Sequence, residues 1–165
     1  MVSRNTLSPS LEAVVADPTR NEIFTASRGV GAFLNGRRIR VSKRIALADA
    51  LVGTGFPFRR NDDVDGFLKV FRELAPKTSG LRRAGSAALD LAYVAAGRLD
   101  AFYEPNLKPW DIAAGSLLVL EAGGLVTDFP GEGNYLATGQ IVAGTPKVFG
   151  QLLPVVNKNY PDIRK

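Results

Sequence analysis

The sequence predicts an α/β chain of layered α+β type: a partial antiparallel sheet followed by an α/β region with its own sheet and flanking helices. Three observations carry this. Short strand patterns separated by turn residues fill the first 45 residues, including an Asn35-Gly36 pair, the strongest short hairpin signal. Beyond residue 50 apolar residues recur at helical spacing, as in "VDGFLKVFRELA" with Phe67, Val70, Phe71 and Leu74. From there short strand patterns and helical ones succeed each other to the end of the chain.

The elements follow in order. In "LEAVVADPTRNEIFTAS" an apolar run from Leu11 to Ala16, the turn residues "DPTRN" and a second extended run from Ile23 to Ala26 make a hairpin. "GVGAFLNGRRIRV" adds two more strands about the Asn-Gly turn, and "ALVGTGF" is a buried-strand run. "GSAALDLAYVAAGRL" is a helix rich in small residues and so able to pack closely. "LDAFYE" is a strand in which Ala101 and Tyr103 alternate against Phe102. "WDIAAGSLLVLEAGG" is a helix stopped by Gly123 and Gly124; "LVTDF" and "QIVAGT" are strands; "PKVFGQLLPVVNK" is a last helix with Pro146 in its first turn. The expected division is 1–45 for the antiparallel sheet, 46–157 for the α/β region and 158–165 for a polar tail.

Composition narrows the chemistry. At 165 residues, 45% of them hydrophobic, the chain is long enough for one domain with a sizeable core. No apolar run reaches the roughly 20 residues that span a bilayer, and "MVSRNTLSPS" lacks the apolar centre of a secretory signal, so the expected location is cytoplasmic, with no membrane partner. Without cysteine or histidine, thiolate and imidazole metal sites are excluded, and any metal bound must be a hard, oxygen-liganded one. The net charge of +5 suits an anionic partner. Much of it lies in "RRIRVSKR", which reads as a solvated strand in preference to a nucleic-acid patch, since no aromatic residues are interleaved for base stacking.

Three motifs hold candidate functional residues. In "EPNLKPWDIAAG", Asp111 falls in the first turn of a helix, where its charge meets unpaired N–H groups; helix capping and metal ligation both account for it, and spacing favours the cap. In "RRAGSAALD", Gly85 and Ser86 precede a helix opening on Ala87 and Ala88, so backbone N–H groups are accessible to a phosphate or sugar hydroxyl; an ordinary serine N-cap is the simpler account. "NDDVDG" starts like a calcium loop but lacks its glycine and glutamate, having Leu68 and Leu74 there; it reads as a solvated helix start.

Taken in order, "DPTRNEIFTASRGVGAFLNGRRIRVS", "GTGFPF", "RRAGSAALDLAYVAAGRLDAFYE", "KPWDIAAGSLLVLEAGGLVTDFPG" and "IVAGTPKV" resemble the inositol monophosphatase family, in its SuhB-like bacterial branch, over about residues 10 to 157. The resemblance implies a layered α-β-α-β-α sugar-phosphatase fold, magnesium dependence, hydrolysis of myo-inositol monophosphate or a related sugar phosphate, and a homo-oligomer, usually a homodimer. It implies that Asp111 ligates a metal close to the substrate, that Glu104 hydrogen-bonds substrate hydroxyls, and that Gly85, Ser86 and Ala87 contact the inositol. The family's D-P-[IL]-D-G-T signature and the glutamate ligand before it do not occur in this sequence. On the resemblance, the chain is therefore expected to correspond to the C-terminal half to two-thirds of the family fold, to begin inside its central sheet, and to be a weak phosphatase or an inactive one. The same branch implies an alternative without phosphatase chemistry, a regulatory module that associates with the transcription machinery or RNA.

Overall fold

The computed structural model describes residues 11–60 and 62–160. The stretch "MVSRNTLSPS" and the last five residues of the expected polar tail lie outside them.

The first sheet is antiparallel, in the order β1-β2-β3-β4, with β1 at Glu12–Asp17, β2 at Glu22–Ser27, β3 at Gly31–Leu34 and β4 at Arg37–Ile39. Its β3–β4 turn follows from Asn35 and Gly36, which take φ of 48° and 77°, the left-handed pair of a tight hairpin, and so place Leu34 opposite Arg37. Along β1 burial alternates strictly, with Ala13, Val15 and Asp17 inward and Glu12, Val14 and Ala16 outward. The basic strand ends sooner than its alternation suggests. After Ile39 the chain leaves the sheet, where Arg40 donates to the Glu121 carbonyl and the Val41 N–H to the Ala122 carbonyl.

The second sheet has the order β6-β5-β7-β9-β8, with β5 at Leu51–Thr54, β6 at Gly80–Arg82, β7 at Ala101–Glu104, β8 at Leu125–Thr127 and β9 at Ile141–Gly144. Strands β5, β6 and β7 are parallel, while β9 runs antiparallel to both β7 and β8. Helix α1 (Val64–Leu74) links β5 to β6, and α2 (Ala87–Ala95) links β6 to β7. Helix α3 (Pro109–Glu121), the single turn α4 (Tyr135–Thr138) and α5 (Pro146–Asn159) complete the chain.

Among the described residues these elements form four layers. Helices α2 and α3 lie between the sheets, burying Leu91, Val94, Ile112 and Leu118 against Val15 and Phe24 on one side and Phe102 and Ala143 on the other. Helices α1 and α5 cover the far face of the second sheet, where Val70, Leu74, Leu152 and Val156 meet Val52, Ala101, Tyr103 and Val142. The alternation expected at "LDAFYE" is thus realised, with Ala101 and Tyr103 facing one helical layer and Phe102 the other. A buried aspartate and a surface ion pair tie the layers together. Asp100 accepts from Ser42 Oγ at 2.5 Å and from Leu51 N at 2.7 Å, and Arg98 holds Glu22 with both guanidinium nitrogens at 2.7 and 2.5 Å. No described helix is long and apolar enough to cross a membrane.

Three local expectations change. Strand β6 and the turn α4 were not legible in the sequence, because each is only three or four residues long and β6 exists only by pairing with β5. The acidic cluster is a half-buried junction as well as a helix start. Asp63 caps α1 through Gly66 N, and Asp62 accepts from Phe58 N, Arg59 N and Asn106 Nδ2. The stretch read as a polar tail begins inside the core: α5 runs to Asn159, and Tyr160 is 4% exposed with its ring 4.9 Å from that of Phe129. The reason is helical period, since Leu152, Val156 and Tyr160 are spaced by four and share the buried face.

Candidate functional site

The parallel strands β5, β6 and β7 end on the same edge of the second sheet, the edge at which open α/β sheets bind ligands. Their continuations converge there. Beyond β5 comes Gly55, beyond β6 the run Arg83, Gly85 and Ser86, and β7 itself ends on Glu104. The loop from Pro105 to Lys108 then turns the chain into α3 and brings Asp111 to the same end of the molecule. The sheet therefore gathers Gly85, Ser86, Ala87, Glu104 and Asp111, which are spread over 27 positions of sequence.

Each has a local cause. Gly85 takes φ of 102°, which a side chain would strain, and this turn aims the chain into α2. Ser86 is the N-cap of α2 and accepts from Leu89 N at 3.4 Å, while Ala87 is buried. Asp111 closes a capping box: its Oδ2 accepts from Lys108 N at 2.9 Å, and its own N–H donates to the Lys108 carbonyl at 2.9 Å. Trp110 beside it is 78% exposed and points away from the core. The capping reading of Asp111 is thus realised, yet it commits only one carboxylate oxygen.

The electrostatics of this edge are unusual for carboxylates. Burial pushes the Glu104 carboxyl up to about 7, and the charge of Asp90 raises it further, against the opposing pull of Arg83 and Arg59. Asp90, one helical turn beyond Ser86, is pushed up to about 6 by burial, with Arg83 pulling it down. Asp90 is not among the residues that the sequence singles out, and the only signal of its burial in "SAALDLAY" is its place among small and apolar neighbours. Tyr103, under the same strand end, is wholly buried and its hydroxyl is pushed up to about 12, again by burial.

A magnesium ion asks for several oxygen ligands with open positions for water and substrate. Asp111 supplies one uncommitted carboxylate oxygen at the mouth of this edge. Among the described residues, however, no three acidic side chains converge closely enough to hold an ion. The described residues fit one wall of a magnesium site and do not form a whole one.

Comparison with known proteins agrees with this architecture. The pattern of the inositol monophosphatase family matches residues 10–159. The chain is 60% identical over 151 residues to the Nus factor SuhB of Pseudomonas aeruginosa, covering 90% of this chain and 56% of that one. It is 51% identical over 153 residues to the Nus factor SuhB of Escherichia coli K12, covering 93% and 57%. Among solved structures it superposes on the extragenic suppressor protein SuhB of Bartonella henselae with a TM-score of 0.86 at 45% identity, over 91% of this chain and 57% of the other. It also superposes on the inositol monophosphatase of Anabaena with a TM-score of 0.83 at 39% identity, over 91% and 59%. The chain therefore spans somewhat over half the length of the curated relatives it matches. With its fold, its strand-end geometry and nearly its whole length in agreement, the chain belongs to the inositol monophosphatase family.

Proposed function

We propose that this chain carries the polyol-binding side of a magnesium-dependent phosphomonoester hydrolase site, for myo-inositol monophosphate or a related sugar phosphate. In this reading Glu104 and the Gly85-Ser86-Ala87 turn take the sugar hydroxyls, and Asp111 is both a magnesium ligand and a substrate neighbour. The carrying observation is the convergence of these residues on the carboxyl edge of parallel strands, with Glu104 held half-buried and high in pKa. When bound, magnesium supplies charge neutralisation and an acidified water. The protein's own contribution is orientation: α2 presents backbone donors, and Glu104 presents a carboxyl that shares or accepts hydroxyl protons. Because one aspartate makes one wall of a metal site, catalysis by this chain alone is weak or absent. Calorimetric titration of magnesium, with and without myo-inositol 1-phosphate, tests this. Binding of the ester that magnesium strengthens and Asp111→Ala weakens supports the reading; no ester binding under either condition overturns it. Robust magnesium-dependent turnover by the isolated chain overturns the expectation of weak catalysis.

A second reading has its own support. Relatives at 60% and 51% identity are named Nus factors, and this chain carries a net charge of +5, which favours an RNA or acidic protein partner in the cytoplasm. Such a role as a transcription-associated module needs no complete catalytic site and is compatible with a retained polyol pocket. Cosedimentation of the chain with RNA polymerase complexes, compared at low and high salt, tests it.

A further inference from the structure

A basic cleft lies at the edge of the second sheet opposite the candidate site. It has a volume of about 620 Å³ and opens where the parallel strands begin, at Leu51 in β5, Ser79 just before β6 and Asp100 just before β7. Lys43, Arg44 and Arg82 border it. The Arg82 side chain folds back along β6, where its Nη1 donates to the Leu81 carbonyl at 3.0 Å and lies 3.0 Å from where a Cβ of Gly80 would be. Strand β5 stands between β6 and β7 in the sheet. Arg82 therefore approaches from one side of the cleft, and the segment of Lys43 and Arg44, bonded to Asp100 through Ser42, from the other.

The segment that carries Lys43 and Arg44 belongs to no helix or strand, yet it is fixed at both ends. Val41 N donates to the Ala122 carbonyl, Ser42 Oγ to Asp100, and Thr145 Oγ1 to the Ser42 carbonyl, while Gln151 accepts from Leu47 N and donates to the Ile45 carbonyl. The cations themselves are uncommitted. Lys43, Arg44 and Arg82 are exposed, and none makes an ion pair among the described residues. Arg98, which also borders the cleft, is held by Glu22 through both nitrogens. The acidic residues of the lining do not answer the free cations. Asp100 is buried and gives its two oxygens to Ser42 and Leu51, and Asp49 is ion-paired with none of them. A fixed backbone that carries unpaired cations to a concavity lowers the ordering cost of binding an anion there.

The lining also selects the kind of anion. Leu51 is its one apolar side chain, so an apolar ligand gains little, and no aromatic side chain is present to stack a base. The volume is that of a small-molecule site. Cations on two sides suit linked phosphates, whose oxygens match the guanidinium forks of Arg44 and Arg82 in pairs, and the Ser79 hydroxyl adds an uncharged donor. We propose that this cleft is a second ligand site that binds a condensed phosphate, a diphosphate or triphosphate group either free or as the tail of a nucleotide, between Lys43 and Arg44 on one side and Arg82 on the other. It shares no residue with the site at the strand ends and does not rest on the polyol reading of that site.

Calorimetric titration of the whole chain with tripolyphosphate, at low salt and without magnesium, tests this. The expected result is saturable binding that weakens at least about tenfold in the double variant Lys43→Ala, Arg44→Ala and in Arg82→Ala, with thermal midpoints unchanged because these side chains are exposed. The double variant Arg37→Ala, Arg72→Ala removes the same charge elsewhere on the surface and should stay within about twofold, as should Glu104→Gln. ATP bound as tightly as tripolyphosphate identifies the phosphate chain as the whole recognised group, and ATP bound more tightly identifies a nucleotide as its source. Absence of saturable binding by the unmodified chain overturns the proposal. So does an equal loss in the Arg37 and Arg72 variant, which would mean net charge alone, or a loss in Glu104→Gln, which would place the anion at the strand ends. Inorganic monophosphate bound as tightly as tripolyphosphate overturns the two-sided recognition. Single-stranded RNA bound through Lys43 and Arg44, with tripolyphosphate unbound, assigns the cleft to a polymer and overturns the proposal as well.

Discussion

Gly55 lies directly against the carboxyl group of Glu104, so that a Cβ at position 55 would occupy the space of the Glu104 oxygens. The end of β5 is therefore shaped to receive the side chain at the end of β7. What would yield is the tip of a flexible side chain and not the backbone, so Gly55→Ala is expected to fold normally and to displace the Glu104 carboxyl. The expected outcome is loss of roughly tenfold or more in affinity for myo-inositol 1-phosphate, about 1.4 kcal/mol, with little change in thermal midpoint. Unchanged affinity would show that the Glu104 position is immaterial to binding.

The pH dependence of stability follows from the raised carboxyls. Asp90 at about 6 and Glu104 at about 7 lie above their ordinary 3.8 and 4.5, so the folded chain binds more protons than the unfolded one between about pH 4 and 7. Their contribution is fully present below pH 4 and lost as pH rises through 6 and 7. Glu22, lowered by its bond with Arg98, and Glu73, lowered by Asn159 and Lys77, act in reverse, and their contribution is lost as pH falls below 4.5. Stability should thus peak near pH 5 and decline toward pH 8. At about 1.4 kcal/mol per pKa unit the decline from Asp90 between pH 5 and pH 8, over which only the unit below its folded value of about 6 remains, is on the order of 1.4 kcal/mol, with a screened share from half-exposed Glu104. Chemical denaturation at pH 5 and pH 8 measures it, and Asp90→Asn should flatten the slope.

Helices α2 and α3 carry Ser86 and Asp111, and their spacing depends on Gly115. A Cβ at that position would lie 2.5 Å from Leu91 Cβ. Gly115→Ala should force the helices apart and cost about 1–3 kcal/mol, outweighing the gain in helix propensity. Urea titration gives the stability change. A stabilised variant would mean that the two helices are not closely docked in solution.

The outer face of the first sheet presents Val14, 63% exposed, and Ile23, 50% exposed, and β1 has no neighbour on its far side among the described residues. An apolar face beside an open strand edge favours association. Sedimentation should show oligomers that grow with concentration, and Val14→Lys should shift the distribution toward monomer. A monomer at all concentrations would count against this face as an interface.

Much of this was legible in the sequence because it is decided locally. Asn35-Gly36 specifies a turn through the positive φ that both residues tolerate, and that turn sets the register of β3 and β4. The alternation through Ala101, Phe102 and Tyr103 announces a strand, and the packing of helices on both sides shows that both of its faces are covered. The recurring motifs around Ser86, Glu104 and Asp111 identify the family. Tertiary structure decided the rest. Strand β6 exists because β5 supplies its hydrogen-bond partners, and Tyr160 is buried because α5 carries its apolar face one turn further than composition suggests. Asp90 reads in sequence as any helical aspartate. Its burial and its effect on Glu104 arise only when α2 is laid over the end of β7, because desolvation and Coulomb interaction depend on distance through space and not along the chain.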